Sequence, residues 1–365
     1  MFLRTFAVSI GVTVATLVAA MVVGGPAAVA LVAILAILEI SFSFDNAVIN
    51  ATVLERMSPF WQRIFLTIGI AIAVFGMRLV FPIALVAVTA GLGPVETFQL
   101  AVEHPERYQT ALEDAHPAIA AFGGVFLLMI FLDFVFEERQ IRWLRGVEAM
   151  LARVGKLDQL SVVVALGALL LVAGTIAPEP GVVLSSGAAG VLTYLLVNGL
   201  GQLFESQGEA DDEGDGDGAT APAGRPGVVT VAGRAAFFLF MYLEVLDASF
   251  SFDGVVGAFA ISSNIIVIAA GLGVGAMYVR SLTVYLVNKG TLSEYVFLEH
   301  GAHWAIGSLA AVLLLSIEYH INEVVTGLIG VAFIAMAYAS SVHRNRRTAA
   351  GGADEHDKQS ESLRV

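Results

Sequence analysis

Ten stretches of this sequence stay apolar over the roughly 20 residues that a helix needs to cross a bilayer, and this restricts the fold more than any other feature. They cover residues 5–23, 28–54, 63–90, 118–136, 159–177, 181–204, 230–260, 264–287, 303–318 and 323–341. The ninth is short and its connection to the tenth can be drawn differently, so nine spans are the alternative. The sequence predicts an all-α polytopic membrane protein.

The composition supports this class and excludes others. Hydrophobic residues make up 57% of the chain and charged residues only 14%, whereas a soluble domain is roughly one quarter charged. There is no cysteine, which excludes a disulfide framework and leaves oxygen and imidazole groups as metal ligands. Apart from a short arginine cluster at residues 344–347 there is no basic patch, so no nucleic-acid partner is expected.

Lysine and arginine fall almost entirely in alternate connections, and this orients the chain. With the amino terminus inside, the cytoplasmic segments receive all of them except Arg107, which lies outside, and Arg78 and Arg280, which lie within spans. The positive-inside rule then predicts cytoplasmic termini, as in a bacterial-type cytoplasmic (inner) membrane. Residues 1–27 read as a first transmembrane helix or as a cleavable signal segment, because a charged start precedes an apolar middle and small residues.

A repeated acidic motif divides the remaining spans into two halves. "EISFSFDNAV" occupies residues 39–48 and "DASFSFDGVV" occupies residues 247–256. The copies lie in the second and the seventh stretch, five spans apart, so they run in opposite directions and predict two inverted repeats of three helices. The repeats are expected at residues 28–137 and 229–320. Between and after them the sequence predicts a basic cytoplasmic loop with two connecting helices (138–204), an acidic disordered cytoplasmic linker (205–228), and a last helix with a cytoplasmic tail (321–365).

The acids of the motif need compensation inside a membrane. Four unpaired carboxylates at helix centres would together cost on the order of 10 kcal/mol. They are Glu39, Asp45, Asp247 and Asp253. Residues six apart lie about 120° out of phase on an unbroken helix, so the acids of one copy share a ligand only if the helix is interrupted.

The motif contains residues that weaken a helix at this point. Serines alternate with phenylalanines, and Asn46 or Gly254 follows the aspartate. Interrupted motif helices would bring together carboxylates, free carbonyls and the serine hydroxyls. These serines are Ser41, Ser43, Ser249 and Ser251. Such an oxygen site suits Mn²⁺, Mg²⁺ or Ca²⁺.

Other polar residues near the spans have two readings each. Arg78 and Arg280 are gate or counter-ion residues, or else structural partners of the acids. Glu244 and Asp133 are supporting candidates along the path, although Asp133 lies near a cytoplasmic end. Three residues at one span mouth are relay candidates or interfacial polar groups: Glu299, His300 and His303.

The segments "EISFSFDNAVINATVL" and "EVLDASFSFDGVVGAFAIS" resemble the acidic motif of TerC-family integral membrane proteins, in which an acid precedes a Ser-x-Asp-Asn element. "LEHGAHWAIG" resembles the signature of a longer TerC-like branch that has carried a domain-of-unknown-function label. The resemblance covers roughly residues 28–137 and 229–340. It implies membership of the lysine-exporter superfamily of inverted-repeat transporters, manganese efflux, and an older association with tellurium resistance.

Carried over residue by residue, the resemblance implies a metal site on both motif copies, with Gly254 in place of the expected asparagine. The implied metal-binding residues are Glu39, Asp45, Asn46, Asp247 and Asp253. We therefore expect a proton-coupled exporter of a divalent cation, most simply Mn²⁺, with the lipid bilayer, the cation and protons as its partners. No permanent cofactor, enzymatic activity or named protein partner is expected.

Alternatives remain at this stage. One is transport of another ion, such as calcium or magnesium, and another is a tellurium-resistance-associated membrane protein. A third is a scaffold or insertion helper that transports nothing. An intramembrane aspartyl protease fits poorly, because the aspartates stand in Phe-Asp-Asn and Phe-Asp-Gly contexts.

Overall fold

The computed structural model describes residues 2–157, 159–212, 231–259, 261–262, 264–289, 294–319, 321 and 323–362. Within these ranges every regular element is a helix, apart from one isolated bridge between Met57 and Val231. The helices are α1 (Phe2–Phe42), α2 (Phe44–Leu54), α3 (Pro59–Ile64), α4 (Phe81–Thr89), α5 (Pro94–Glu103), α6 (Pro105–Phe136), α7 (Arg145–Val154), α8 (Leu160–Thr175), α9 (Pro180–Asp212), α10 (Gly233–Phe259), α11 (Ile265–Lys289), α12 (Leu298–Ser316) and α13 (Glu323–Ser362).

The helices confirm the prediction of an all-α polytopic membrane protein. In the described part of the chain, seven are long and apolar enough to cross a bilayer. They are Thr5–Ser41, Pro59–Val88, Pro105–Phe136, Pro180–Leu200, Ile265–Lys289, Leu298–Ser316 and Val325–Arg347. The apolar helix α8 is shorter. The short ninth stretch and the tenth stretch of the sequence form two separate helices, α12 and α13.

A sharp turn divides α1 into two segments. The run Thr5–Ser41 has 37 residues, about 55 Å of helix, whereas a bilayer core is about 30 Å thick. At Gly25 the backbone has φ 67° and ψ −163°, a conformation open essentially to glycine alone, and Pro26 follows it. The chain therefore turns back here, as the separate apolar stretches 5–23 and 28–54 predict.

Both segments of α1 pack on α11, in opposite directions. The Ser9 hydroxyl lies 2.8 Å from the Ser281 hydroxyl, and Phe6 contacts Tyr285 further along α11. In the second segment the order reverses, because Leu35 packs on Gly271 and Glu39 packs on Gly275. The first segment is thus antiparallel to α11 and the second is parallel to it.

The two motif helices differ in continuity. The first is interrupted at Ser43, which has φ −95° and ψ 18° between α1 and α2, close to where the sequence predicts a break. The second is not: α10 is continuous, so the expected break between Ser249 and Gly254 is wrong. The Ser249 hydroxyl donates to the Val245 carbonyl of the same helix (3.0 Å), and the matching Ser41 hydroxyl donates to the Ile37 carbonyl (2.7 Å), so the serines alone do not decide which copy breaks.

Between α3 and α4 the helix widens. Residues Phe65–Gly69 and Ile72–Val80 form π-type turns, which are rare and frequently found at functional sites. Arg78 lies in the second of these segments, and its Nη1 donates to the Ala73 carbonyl (2.6 Å). The irregular segment therefore sets the position of a buried arginine.

The acidic linker lies mostly outside the described residues. Helix α9 continues to Asp212, and the prediction of disorder for the remainder of residues 205–228 stays a prediction. Elsewhere, small residues allow close helix contacts around α6. A Cβ atom at Gly190 of α9 would lie 2.4 Å from the Phe122 carbonyl oxygen, and one at Gly307 of α12 would lie 2.6 Å from the Phe131 ring. These contacts pack α6 closely against α9 and α12.

Candidate functional site

The two motif helices cross antiparallel, and their contacts are reciprocal. Asn46 Nδ2 donates to Asp247 Oδ1 at 2.8 Å. Gly254 lies beside Glu39, since a Cβ atom at Gly254 would be 3.3 Å from Glu39 Oε2. In the motif alignment Glu39 corresponds to Asp247 and Asn46 corresponds to Gly254. We call Glu39 and Asp247, the first acid of each motif copy, the leading acids. Each leading acid therefore contacts the residue that follows the motif aspartate of the other copy, as an inverted repeat requires.

The first leading acid forms a buried ion pair. Glu39 Oε1 accepts a hydrogen bond from Arg78 Nη2, and the Ser43 hydroxyl donates to the same oxygen at 3.1 Å. Gly275 makes room for this acid, because a Cβ atom there would lie 2.4 Å from Glu39 Cβ. Arg78 also lies within electrostatic reach of Asp247, which links the two halves.

The second leading acid pairs with the other buried arginine. Arg280 donates to both carboxylate oxygens of Glu244 at 3.1 Å and to Asp247 Oδ2 at 3.3 Å. Its guanidinium group also stacks 4.1 Å from the centre of the Phe65 ring. Gly69 permits this approach, because a Cβ atom there would lie 2.4 Å from Arg280 Nη1. The same pairing, leading acid to arginine of the next span, thus occurs in both halves.

The described part of this cluster has an excess of negative charge. Three buried carboxylates meet two buried guanidinium groups. They are Glu39, Glu244 and Asp247 with Arg78 and Arg280. The side chains of Asp45, Ser251 and Asp253 lie outside the described residues. Among the residues that were described, no three His, Cys, Asp or Glu side chains are grouped closely enough to hold a metal ion.

An unpaired amide lies next to the cluster. Asn50 is one helical turn beyond Asn46 on the same face of α2, and it is completely buried. Within the described part of the chain neither its Nδ2 nor its Oδ1 has a hydrogen-bond partner. Native proteins seldom leave such groups unsatisfied. Sequence reasoning missed Asn50, although its spacing of four from Asn46 could have indicated a shared face.

A cavity of about 440 Å³ leads to the first motif. Glu39, Ser43, Asn46 and Gly254 line its inner part. Its walls continue along α6, α12 and α13 to the end of the molecule where α12 finishes, and include Glu113, His116, Glu318 and Tyr319. Asp247 and Glu244 do not line it. This cavity therefore reaches the cluster next to Glu39.

The motif serines have different surroundings. Ser43 contacts Glu39 and lines the cavity. Ser41 is exposed and donates to the Ile37 carbonyl of its own helix at 2.7 Å. The Ser249 hydroxyl is likewise used within α10. Of the three serines whose side chains are described, the structure brings only Ser43 to the acids.

Asp133 lies in a separate place. Its Oδ2 accepts a hydrogen bond from the Tyr194 hydroxyl of α9. Asn198 Nδ2 donates to the same hydroxyl at 3.4 Å. These three residues line another cavity of about 420 Å³, between α6, α8 and α9. Asp133 is therefore not joined to the motif acids by a described contact.

The polar residues at the start of α12 form a third cluster. Glu299 pairs with Arg139 at 2.8 Å, and the His303 ring stacks on Phe134 with 3.7 Å between ring centres. His300 Nδ1 lies 3.1 Å from the carboxylate of Glu148. Sequence reasoning missed Glu148, which lies in the first turn of α7 and belongs to no motif. The cluster fastens α7 and the loop before it to α12.

Glu148 has four hydrogen-bond partners in this cluster. Besides His300, its oxygens accept hydrogen bonds from the backbone N–H groups of Trp143 (3.0 Å) and Leu144 (3.4 Å) and from Trp304 Nε1 (3.3 Å). A buried carboxylate with this many donors is well compensated. These contacts hold a structural junction, apart from the motif acids.

Comparison with known proteins places the chain in a family. A family model described as "Protein of unknown function (DUF475)" matches residues 44–348, a range that contains both motif aspartates and both buried arginines. No curated protein and no solved structure matches the chain. Because the family match spans most of the sequence, this membrane protein belongs to the DUF475 family.

Proposed function

We propose that this protein transports a divalent cation out of the cytoplasm in exchange for protons. The cation that we propose is Mn²⁺. The observation that carries the proposal is the reciprocal contact of the two motif helices beside a cavity that reaches Glu39. Transporters built from inverted repeats place their ion sites at such an interface. The proposed location is a bacterial-type cytoplasmic membrane with both chain termini inside.

The charges of the two motifs suit a divalent cation that alternates with protons. Five acids and two arginines belong to this part of the sequence. They are Glu39, Asp45, Glu244, Asp247 and Asp253, with Arg78 and Arg280. If all seven side chains were ionised, three negative charges would remain inside the membrane, where each charge is energetically unfavourable. A bound divalent cation offsets two of them, and protons offset them when the cation leaves, because desolvation favours the neutral acid.

The ligand types support a hard cation. The cluster offers carboxylate oxygens, the hydroxyl of Ser43 and the amide oxygens of Asn46 and Asn50. The chain contains no cysteine. Mn²⁺, Mg²⁺ and Ca²⁺ all accept such ligands. The choice of Mn²⁺ rests on the resemblance of the motifs to those of the TerC family, in which manganese efflux is known.

The cavity beside Glu39 supports alternating access. The cavity reaches Glu39, whereas Asp247 is closed in by Asn46 and Arg280. If the halves exchange roles, Asp247 becomes accessible from the opposite side while Glu39 is closed in. Arg78 and Arg280 would then act as counter-ions that hold the acids when no cation is bound.

A scaffold without transport activity is the second candidate. The observation that favours it is that each of the three acids of the motif cluster with a described side chain already contacts an arginine. In that case the ion pairs contribute only to folding stability, and replacing the acids does not change the metal content of cells.

Cells that lack other manganese exporters distinguish these functions. We expect Asp45→Asn and Asp253→Asn each to abolish tolerance to excess manganese and to raise cell-associated manganese. Glu299→Gln is the matched control, because that acid lies in the α12 cluster and should change tolerance much less. Equal membrane abundance of all variants excludes loss of folding. If both aspartate variants protect cells as well as the parent does, the scaffold function replaces the transporter function.

A further inference from the structure

A third cavity lies apart from the motif acids and is lined by arginines. Its volume is about 290 Å³. It is lined by Gln140, Ile141, Arg142, Arg145, Phe297 and Arg344. None of these residues belongs to the proposed cation path. The cavity therefore combines three positive charges with an aromatic ring and an aliphatic side chain.

This cavity lies at the membrane surface. Its residues come from the loop after α6, from the first residue of α7 (Arg145), from the residue just before α12, and from α13 close to Arg347, where the last apolar run ends. Three spans thus end or begin around it on one face of the protein. Because this face carries the basic loop, it is the expected cytoplasmic face.

Hydrogen bonds hold the walls of the cavity together. Trp143 Nε1 donates to the Ser340 hydroxyl at 3.0 Å, which joins the loop after α6 to α13. The Phe297 N–H donates to the Ser341 hydroxyl, also at 3.0 Å. The carboxylate of Glu148 also accepts a hydrogen bond from the backbone N–H of Trp143 in this loop. The arginines therefore project from walls that are fixed to one another.

In the part of the chain that the structure describes, two of the three arginines of the cavity are not compensated by an acid. Within the described part of the chain, Arg142 and Arg145 take part in no ion pair. Glu148 is used by its own four partners, and Glu299 is paired with Arg139. The guanidinium group of Arg344 lies 5.7 Å from the centre of the Phe297 ring. Arg142 and Arg145 therefore leave positive charge that an anion would compensate.

Helix α7 presents an apolar stripe next to these charges. Val147, Met150 and Val154 are 44%, 59% and 50% exposed, at spacings of three and four residues. The opposite face of α7 is buried through Glu148 and Ala152. A helix with exposed apolar residues on one side and flanking basic residues is typical of the membrane interface.

We propose that the arginine cavity binds the phosphate of an anionic phospholipid headgroup, whose acyl chains lie along the apolar stripe of α7. Arginine suits this role because its planar group forms paired hydrogen bonds with phosphate oxygens. Basic pockets between helix ends on the cytoplasmic side are known to hold anionic headgroups. The bound lipid would anchor α7, and through Glu148 the start of α12, to the membrane.

The test measures lipid binding by the purified full-length chain in a neutral detergent. Short-chain phosphatidylglycerol should raise the thermal unfolding midpoint, whereas phosphatidylcholine with the same acyl chains should not. Arg145→Gln should weaken the apparent affinity for phosphatidylglycerol about fivefold, and adding Arg142→Gln about fivefold more, from the free energy of one basic residue at an anionic surface. Arg153→Gln, on the same helix but outside the cavity, is the control and should leave the affinity unchanged.

Three outcomes would overturn the proposal. Equal stabilisation by phosphatidylcholine, or unchanged affinity in Arg145→Gln, would remove the cavity as a headgroup site. Equal stabilisation by inorganic phosphate alone would assign the cavity to a soluble phosphate compound instead of a lipid. If the double variant does not fold, native mass spectrometry of the Arg145→Gln protein tests the proposal. The Arg145→Gln protein purified from bacterial membranes must retain less phosphatidylglycerol than the parent and the Arg153→Gln control do.

Discussion

Single residues make the two motif copies unequal. Asn46 gives Asp247 an amide donor at 2.8 Å, but Gly254 offers Glu39 no side chain. Glu39 relies on Arg78 and Ser43 instead, and the space at Gly254 belongs to the cavity. Both leading acids are buried, but Glu39 lines the cavity together with Gly254, whereas Asp247 does not.

Removing the amide of Asn46 should destabilise the protein. In Asn46→Ala, Asp247 Oδ1 loses its donor inside a buried cluster, and we expect the free energy of unfolding to fall by about 1–3 kcal/mol. Asn198→Ala is the matched control, because that amide makes a long contact of 3.4 Å with the Tyr194 hydroxyl. Denaturation of the detergent-purified proteins compares the two. Equal losses in both variants would show that the Asn46 contact contributes nothing special.

A methyl group at Gly69 should displace Arg280. Its Cβ atom would lie 2.4 Å from Arg280 Nη1 and 2.9 Å from Glu244 Oε1. Because disrupting a buried ion pair costs about 3–5 kcal/mol at most, we expect Gly69→Ala to lower the thermal unfolding midpoint clearly. Gly76→Ala lies in the same irregular helix and meets only Ile72, at 3.4 Å, so it should be neutral or gain about 0.5–1 kcal/mol from helix propensity. If Gly69→Ala proved more stable than Gly76→Ala, the result would argue against the close approach of Arg280 to Gly69.

At the level of elements, the sequence predicts the helices better than their irregularities. Apolar length and the motif repeat were enough to predict the helical class and the two opposed motif helices. The sequence also predicted the break at Ser43. It could not predict that α10 is unbroken, because both copies contain the same Ser-Phe-Ser-Phe sequence. Which copy breaks depends on tertiary contacts, such as the packing of Glu39 on Gly275, that a single sequence does not reveal.

The first segment of α1 makes contacts that only a retained segment can make. Ser9 and Phe6 are buried against α11. The chain has no native cysteine, so a cysteine pair reports this contact cleanly. Because the hydroxyls of Ser9 and Ser281 lie 2.8 Å apart, their Cβ atoms come near the separation of roughly 3.5–4.5 Å found in disulfides.

We therefore expect Ser9→Cys combined with Ser281→Cys to form a disulfide on mild oxidation. Mass spectrometry of proteolytic fragments would detect the cross-linked peptides. Gly11→Cys combined with Ser281→Cys is the control, because a side chain at Gly11 meets no other atom within 4 Å. Loss of residues 1–27 from the mature chain, or equal cross-linking of both pairs, would contradict the packing of α1 on α11.

The whole molecule brings together groups that are distant in the sequence. The sequence predicted the acids and both arginines as one set, and Glu39, Asp247, Arg78 and Arg280 do lie together. It did not predict how they pair, nor the buried Asn50, nor the glycines Gly69 and Gly275 that allow the approach. Those features depend on which helix faces which, and in an almost uniformly apolar chain the hydrophobic pattern carries little information about helix faces.

The central claim is that the motif acids of both halves form one path for a cation and for protons. The most direct measurement follows Mn²⁺ and internal pH together in proteoliposomes that contain the purified protein, with Ca²⁺ and Mg²⁺ tested in parallel. We predict that Mn²⁺ movement is accompanied by opposite proton movement, and that both are lost in Asp45→Asn and in Asp253→Asn but kept in Glu299→Gln. Proteoliposomes that move none of these cations, or aspartate variants that transport as fast as the parent, would contradict the claim.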